Sequence, residues 1–497
     1  MKSRLDELEL DILPRSRTTE AGVEWALARK GEEHHLVALV PPGNEALLDD
    51  FEGRTESDAR GTLLVGPAGA RNAAGLRSHV PWLRPQPLGT ATSAGLGDRL
   101  GLATPGHVRA VRAAGSGVRP IFAQQSIREM SRTGRTPIEV MDDATWGIFG
   151  EGWREGVGAD ADHLKTPEDI DSCVAAGFSL FTIDPGDHVS SSADAADIAT
   201  LRAAVSALPW PELEDTQDQL RARYLDRKVV VEDHELLLDE ITLSRAAAKY
   251  GRAVAHVARM ERHLRKVAGD REVELEVSVD ETETPTAPAE HYWIASELAR
   301  LGVRFASLAP RFVGRFEKGV DYIGDLDELE ADLAAHAAIA RQLGPYKLSL
   351  HSGSDKFSVY PIAARQTRGL VHLKTAGTSY LEALRTVSAV DPSLFREIYG
   401  FARERYETDR ASYHVSARLD RARPANEVPE SGLASLLEEF DAREILHVTF
   451  GSVLNERSNG EGFRFREKLM GLLTANPEAY AKNLEAHFVR HLRPFVR

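Results

Sequence analysis

From about residue 88 onward the chain alternates between short apolar runs and longer stretches with helical spacing. The short runs are LGTATS (88–93), PIFAQQ (120–125), FSLFTID (178–184), VELEVSV (273–279), VRFASLA (303–309), YKLSLH (346–351), LVHLKT (370–375) and ILHVTFG (445–451). Their length, period-two character and Gly/Pro/Asp boundaries predict strands. Helical spacing occupies 105–114, 167–176, 232–268, 290–301, 326–342 and 378–405. Eight strands alternating with helices predict a (β/α)8 TIM-like barrel, with a doubly wound sheet as the alternative. Residues 1–85 carry short β-like runs (EWALAR, HLVALV, TLLVG) and predict a small α/β region. The proline-rich PWLRPQPLG (81–89) marks its boundary with a catalytic barrel over 86–497. Residues 185–232 read as an insertion after the third predicted strand, with PWPELEDTQDQ as exposed linker.

Side chains on a strand alternate between faces. In VELEVSV, Val273, Leu275, Val277 and Val279 share one face, while Glu274, Glu276, Ser278 and the following Asp280 share the other. In a barrel the apolar face meets the helices, so the carboxylates point inward. Similarly, Lys347, Ser349 and His351 share a face of YKLSLH, His372 and Lys374 a face of LVHLKT, and His447 and Thr449 a face of ILHVTFG. The third predicted strand ends in Asp184, followed by Asp187 and His188. Several strands thus aim ionisable groups at one interior, and barrel enzymes keep their chemistry at the C-terminal strand ends.

Composition narrows the chemistry. A formal charge of −15 argues against nucleic acid or an anionic membrane as partner, and leaves a small-molecule substrate. Cys173 is the only cysteine, which excludes an intramolecular disulfide and a thiolate zinc cluster. The acidic N-terminus does not read as a signal peptide, and no window approaches the ~20 apolar residues of a membrane span. A soluble, cytoplasmic protein is expected.

Imidazoles and carboxylates without thiolate suit a divalent cation such as Zn, Mn, Co or Ni. His188, His351 and His372 are the candidate ligands, with Asp187 and Glu276 near them. In HSGSDK (351–356) the histidine is followed closely by Asp355 and Lys356, a ligand, an acid and a cation in one loop. Lys356 and Lys374 could pair with a substrate carboxylate. The segment GLGDRLGLATPGH (95–107) is either a tight strand-to-helix turn or a mouth segment contributing Asp98 or Arg99. It matches neither the P-loop nor the dinucleotide fingerprint. In KTAGTSY (374–380), Gly377, Thr378 and Ser379 would open a helix, as a plain cap or as an anion site.

Together GLGDRLGLATPGHV, FTIDPGDHV, LSLHSGSDKFSVYP, VHLKTAGTSYLEALR, VTFGSVL and AHFVRHLRPF resemble the tagaturonate/fructuronate epimerase family, in order from about residue 88 to the end. The resemblance implies a metal-dependent barrel that interconverts D-tagaturonate and D-fructuronate at carbon four, with neutral ketohexoses as substrates of some relatives. It implies His188, His351 and His372 as metal ligands, Asp187 and Glu276 as the acid/base pair, and Lys356 or Lys374 on the carboxylate. The division of ligand and base roles among Asp187, Glu276 and Asp280 stays open. A class II-like aldolase and a non-catalytic sugar-acid-binding barrel are the competing readings.

Overall fold

In the computed structural model, which describes residues 4–496 except 32, 376, 459 and 461, eight parallel strands close into a barrel. They are β1 (Ser93–Gly95), β2 (Arg119–Ser126), β3 (Gly158–Leu164), β4 (Leu180–Ile183), β5 (Glu274–Ser278), β6 (Ser307–Ala309), β7 (Lys347–Leu350) and β8 (Val371–Lys374). Each pairs with the next, and β8 closes on β1 through the register His372 opposite Ser93. The expected (β/α)8 barrel is therefore the fold.

Two strand assignments need correcting. ILHVTFG, predicted as the eighth strand, is helical, lying in Phe440–Val448 and Phe450–Asn455. Its apolar residues Ile445, Leu446, Val448 and Phe450 are all buried against other helices. β8 already pairs with β1, so the closed barrel offers no edge to a further strand. The missing strand is β3, GADADHL. Its outward residues are Ala159 and Ala161, small and weakly strand-forming, while Asp160 and Asp162 face inward. Tertiary pairing with β2 and β4 overrides propensity there. The insertion accordingly follows the fourth strand rather than the third. It contains helices Ile198–Ser206 and Gln217–Tyr224 and the hairpin Arg227–Val231/His234–Leu238 before the long helix Glu240–Ala268. β1 also begins later than LGTATS suggests, at Ser93.

Local chemistry sets where the outer helices start. T-P-x-[D/E] occurs twice, at Thr136–Glu139 and Thr166–Asp169. In both, the threonine caps, proline takes the first turn and the acid closes a capping box. Before the barrel, an antiparallel sheet is ordered Asp11–Ile12, Val23–Lys30, Glu33–Val40, Gly61–Pro67, Arg54–Asp58, with Thr18–Glu20 added on Val23–Lys30. The C-terminal helix Pro477–Leu492 packs on Thr104–Ala114, and a Cβ added at Gly106 would come 2.5 Å from Leu484. Cys173 is buried in helix Pro167–Ala176, with burial pushing its thiol up to about 12, so it is inert packing. No helix among the described residues is long and apolar enough to cross a membrane.

Gly152 ties the N-terminal region to the barrel. It ends helix Pro137–Glu151 in a left-handed conformation (φ 62°), and an added Cβ would sit 2.1 Å from the Arg15 carbonyl oxygen. Gly152→Ala is expected to destabilise the protein by roughly 1–3 kcal/mol. A lowered urea midpoint at unchanged m-value is the check.

Candidate active site

The barrel interior is polar. Lys374, at the end of β8, reaches Asp160 at 2.9 Å, Asp162 at 2.6 Å and Glu276 at 2.8 Å, and donates to Thr182 Oγ1 at 2.7 Å. Below it, Lys347 donates to Ser93 Oγ at 3.1 Å, and Ser93 Oγ lies 2.9 Å from His372 Nδ1. Ser307 donates to the other Glu276 oxygen. Burial would raise the Glu276 carboxyl, but Lys374 and then His351 hold it well below the usual range.

Above this floor, the C-terminal ends of β3, β5 and β7 converge. His351 is held between two carboxylates, with Nε2 2.6 Å from Glu276 Oε1 and Nδ1 3.1 Å from Asp280 Oδ1. His163 follows Asp162 on β3. Its Nδ1 lies 2.7 Å from Asp162 Oδ1, and its ring centroid 4.9 Å from that of His351. Asp162, His163 and His351 offer ligand atoms all within 4.8 Å of one another, and His163, Asp184 and Glu281 form a second such group sharing His163. His163 Nε2 and Asp184 Oδ2 are buried without a hydrogen-bond partner. His163 and Ser352 hold left-handed backbone (φ 55° and 49°), strain of the kind that gathers at functional sites. Burial disfavours charge on both imidazoles, yet Asp162 and Glu281 outweigh it and raise His163 to about 10, and Asp280 likewise raises His351. The protonated rings stand where a cation would balance the same carboxylates. A cavity of about 430 Å³ opens above His351, lined by Asp280, Glu281, Arg128, Arg311, Lys318 and Tyr413 among others.

The structure brings together His351, Glu276 and Lys374 and separates the other sequence candidates from them. Asp187 and His188 lie outside the mouth. Asp187 is exposed and pairs with Lys165 at 3.0 Å, and His188 stacks on His256 at 4.2 Å. The proline turn after Asp184 carries both away from the barrel. His372 points inward but one layer down, on Ser93 rather than on the cavity. Glu276 also lies beneath His351 and does not line the cavity. Lys356 is spent on the carbonyls of Glu317, Val320 and Ser354, at 2.5–3.0 Å. Lys374 is neutralised by its three carboxylates, so neither lysine is free for a substrate carboxylate. Asp355 pairs with Arg443 at 2.9 Å and His487 at 3.1 Å, and accepts from Thr378 Oγ1 at 3.1 Å, inside the protein. Arg99 pairs with Glu129 at 2.7 Å and stacks on Phe450 at 3.6 Å, while Asp98 caps three backbone amides, so the glycine-rich segment is a turn. Sequence reasoning missed Asp160, Asp162 and His163 because β3 was missed. The Ala/Asp alternation of GADADH was the available signal.

A closed parallel barrel with imidazoles and carboxylates converging at its C-terminal mouth defines a (β/α)8-barrel enzyme, and its relatives are isomerases. The family model for tagaturonate epimerase (UxaE) matches residues 14–495. A tagaturonate/fructuronate epimerase from Thermotoga maritima is 46% identical over 423 residues, covering 84% of this chain and 83% of that protein. Crystal structures of the fructuronate-tagaturonate epimerase UxaE from Cohnella laeviribosi, with one and with two glycerols, superpose with TM-scores of 0.91 and 0.92 at 38% identity, covering 99% of this chain and 98% of that one. The chain belongs to the tagaturonate epimerase family.

Two expectations follow. Lys374→Met leaves three buried carboxylates without their cation and should cost about 3–5 kcal/mol. Adding Glu276→Gln should recover part of this in thermal melts. The second concerns the segment beside the cavity. Glu317 and Glu444 both accept from the Ser416 amide, at 2.9 and 3.1 Å, anchoring the chain after Tyr413. Burial, opposed by the Ala417 amide and reinforced by Glu317, raises Glu444 from its ordinary 4.5 to about 8. A carboxyl raised by folding contributes stability that is present below its unfolded value and lost as pH rises through the folded one. Wild-type protein should therefore lose stability between pH 4.5 and 8 relative to Glu444→Gln. Parallel urea-midpoint profiles for the two proteins would overturn this assignment.

Proposed function

We propose that this chain interconverts D-tagaturonate and D-fructuronate by inverting carbon four, with a divalent cation at the barrel mouth. The observation that carries the reading is the convergence of His163, His351 and Asp162 on a small pocket of about 30 Å³, which shares His351 with the larger cavity, in a chain 46% identical to a tagaturonate/fructuronate epimerase. The donor set fits Zn, Mn, Co or Ni, being imidazole and carboxylate without thiolate. His163 Nε2 and Asp184 Oδ2, buried without a hydrogen-bond partner, support the same fit. Held by Asp162, His163 and His351, the cation would supply Lewis-acid stabilisation of negative charge developing on the substrate's keto and adjoining hydroxyl oxygens.

Carbon four is β to the keto group, so its own proton is not acidified and deprotonation cannot invert it. Cleavage of the bond between carbons three and four can. Asp280, on the cavity wall and ionised because His351 and His163 outweigh the cost of its burial, takes the carbon-four hydroxyl proton. The C3–C4 electron pair moves toward the keto group, leaving an enediolate and an aldehyde. The aldehyde turns, the bond re-forms on its other face, and Asp280 returns the proton. Glu276 and Lys374 act from below by fixing His351 and Asp162.

The test uses chelator-stripped protein with Mn, Co, Ni or Zn restored singly, incubated with D-fructuronate and followed by chromatography. Tagaturonate should appear only with metal, and His351→Ala should lose both bound metal and at least 10²-fold in turnover, roughly the effect of losing a ligand's support. Accumulating cleavage fragments would replace the epimerase with an aldolase. Thermal stabilisation by the sugar acid, with neither metal retention nor turnover, would leave a binding barrel.

A further inference from the structure

The cavity above His351 is lined by charges of both signs. Asp280 and Glu281 come from the segment after β5, and Arg311 and Lys318 from the loop after β6. The other two arginines of the lining are already committed. Arg128 grips Glu281 at 2.6 and 3.3 Å, and Arg315 pairs with Glu317 at 3.3 Å. Arg311 and Lys318 differ. Among the described residues neither makes an ion pair with a carboxylate, and the Arg311 guanidinium makes no hydrogen bond. The Arg311 backbone is nonetheless fixed, its amide donating to Thr286 Oγ1 at 3.1 Å and its carbonyl accepting from the Thr286 amide at 2.8 Å. Lys318 is aimed by a single contact, Nζ donating to Ser352 Oγ at 2.6 Å, in the residue after His351. Burial disfavours the Arg311 charge, with Asp280 only partly offsetting it. A half-buried guanidinium and an ammonium lining one cavity, neither paired with a carboxylate among the described residues, are suited to hold a substrate carboxylate.

We infer that Arg311 and Lys318 form the subsite for the substrate's carboxylate and set the preference for a sugar acid over a neutral ketose of equal length. The inference rests on the reading given under Proposed function. In D-fructuronate and D-tagaturonate the keto group and the carboxylate lie near opposite ends of the carbon chain. A substrate with its keto end at His351 carries its carboxylate into the rest of the cavity, where Arg311 and Lys318 are the arginine and lysine not paired with a carboxylate among the described residues. Asp280 and Glu281 repel a carboxylate placed against them. A neutral ketose offers that end a hydroxyl, which pairs with neither positive charge.

The experiment compares wild-type, Arg311→Met, Lys318→Met and Arg311→Lys as metal-loaded protein. It measures kcat/KM on D-fructuronate and D-fructose, and calorimetric affinity for D-tagaturonate at low and high salt. Each methionine variant should lower the ratio of uronate to ketose kcat/KM roughly 10–100-fold, the factor for losing one hydrogen bond to a charged group. The loss should fall on KM, Arg311→Lys should recover part of it, and the salt dependence of tagaturonate affinity should flatten. Equal losses on both sugars, or an unchanged tagaturonate affinity, would overturn the assignment. Lys318→Met, which removes one hydroxyl contact, serves where Arg311→Met fails to fold. If the wild type turns over neither sugar the epimerase reading fails, and the subsite is then decided by tagaturonate binding to wild type against variants.

Discussion

The interaction on which the rest depends is the ammonium of Lys374 set among Asp160, Asp162 and Glu276 on the barrel axis. Small barrels usually fill this space with branched aliphatic side chains. Here an ionic layer takes their place, and burying it is costly unless every charge is answered. The answer comes from three strands at once, β3, β5 and β8, so strand register and charge neutrality are a single condition. A shift of one residue in any of them would turn its carboxylate or lysine into the helical shell.

That condition passes upward to the cavity. Glu276 accepts from His351 and meets Lys374 through the same oxygen, and Asp162 holds His163 while meeting Lys374. His351, which lines the cavity, and His163 beside it are therefore oriented by the same carboxylates that neutralise the floor. From outside, the loop carrying His351 is pinned by Asp355 to Arg443 and to His487 on the C-terminal helix. Asp355, which looked like a substrate-binding residue in the sequence, thus braces the loop that bears His351.

Much of the architecture was legible because outward strand faces are strongly apolar. VELEVSV and YKLSLH display the barrel parity openly, and Glu276, Lys347, His351 and Lys374 do point inward as that parity requires. β3 was hidden because its outward face is alanine, which marks no strand. The helix at 440–455 was misread because β-branched content imitates a strand when its partners are other helices. Site residues drawn from loops fared worse. Parity says nothing beyond a strand's last residue, so Asp187, His188, Lys356 and Asp355 could not be placed from spacing. Arg311 and Lys318 sit in such a loop, too, with no pattern to single them out.

The charge layout gives the cavity a direction. Lys374 and Arg128 are matched to carboxylates, Lys356 to carbonyls and Lys347 to the Ser93 hydroxyl, so these cations stabilise the protein. Among the described residues lining the cavity, Arg311 and Lys318 of the loop after β6 are the arginine and lysine without a carboxylate partner, and Lys318 is held beside His351 through Ser352. An anionic group entering the cavity is drawn to Arg311 and Lys318 and repelled by Asp280 and Glu281. The chain's formal charge of −15 does not oppose this, because local geometry within a cavity decides what a small anion encounters at contact range. Orientation comes from where the protein has left charge unpaired, and the barrel can leave it unpaired there because the ionic floor is closed beneath it.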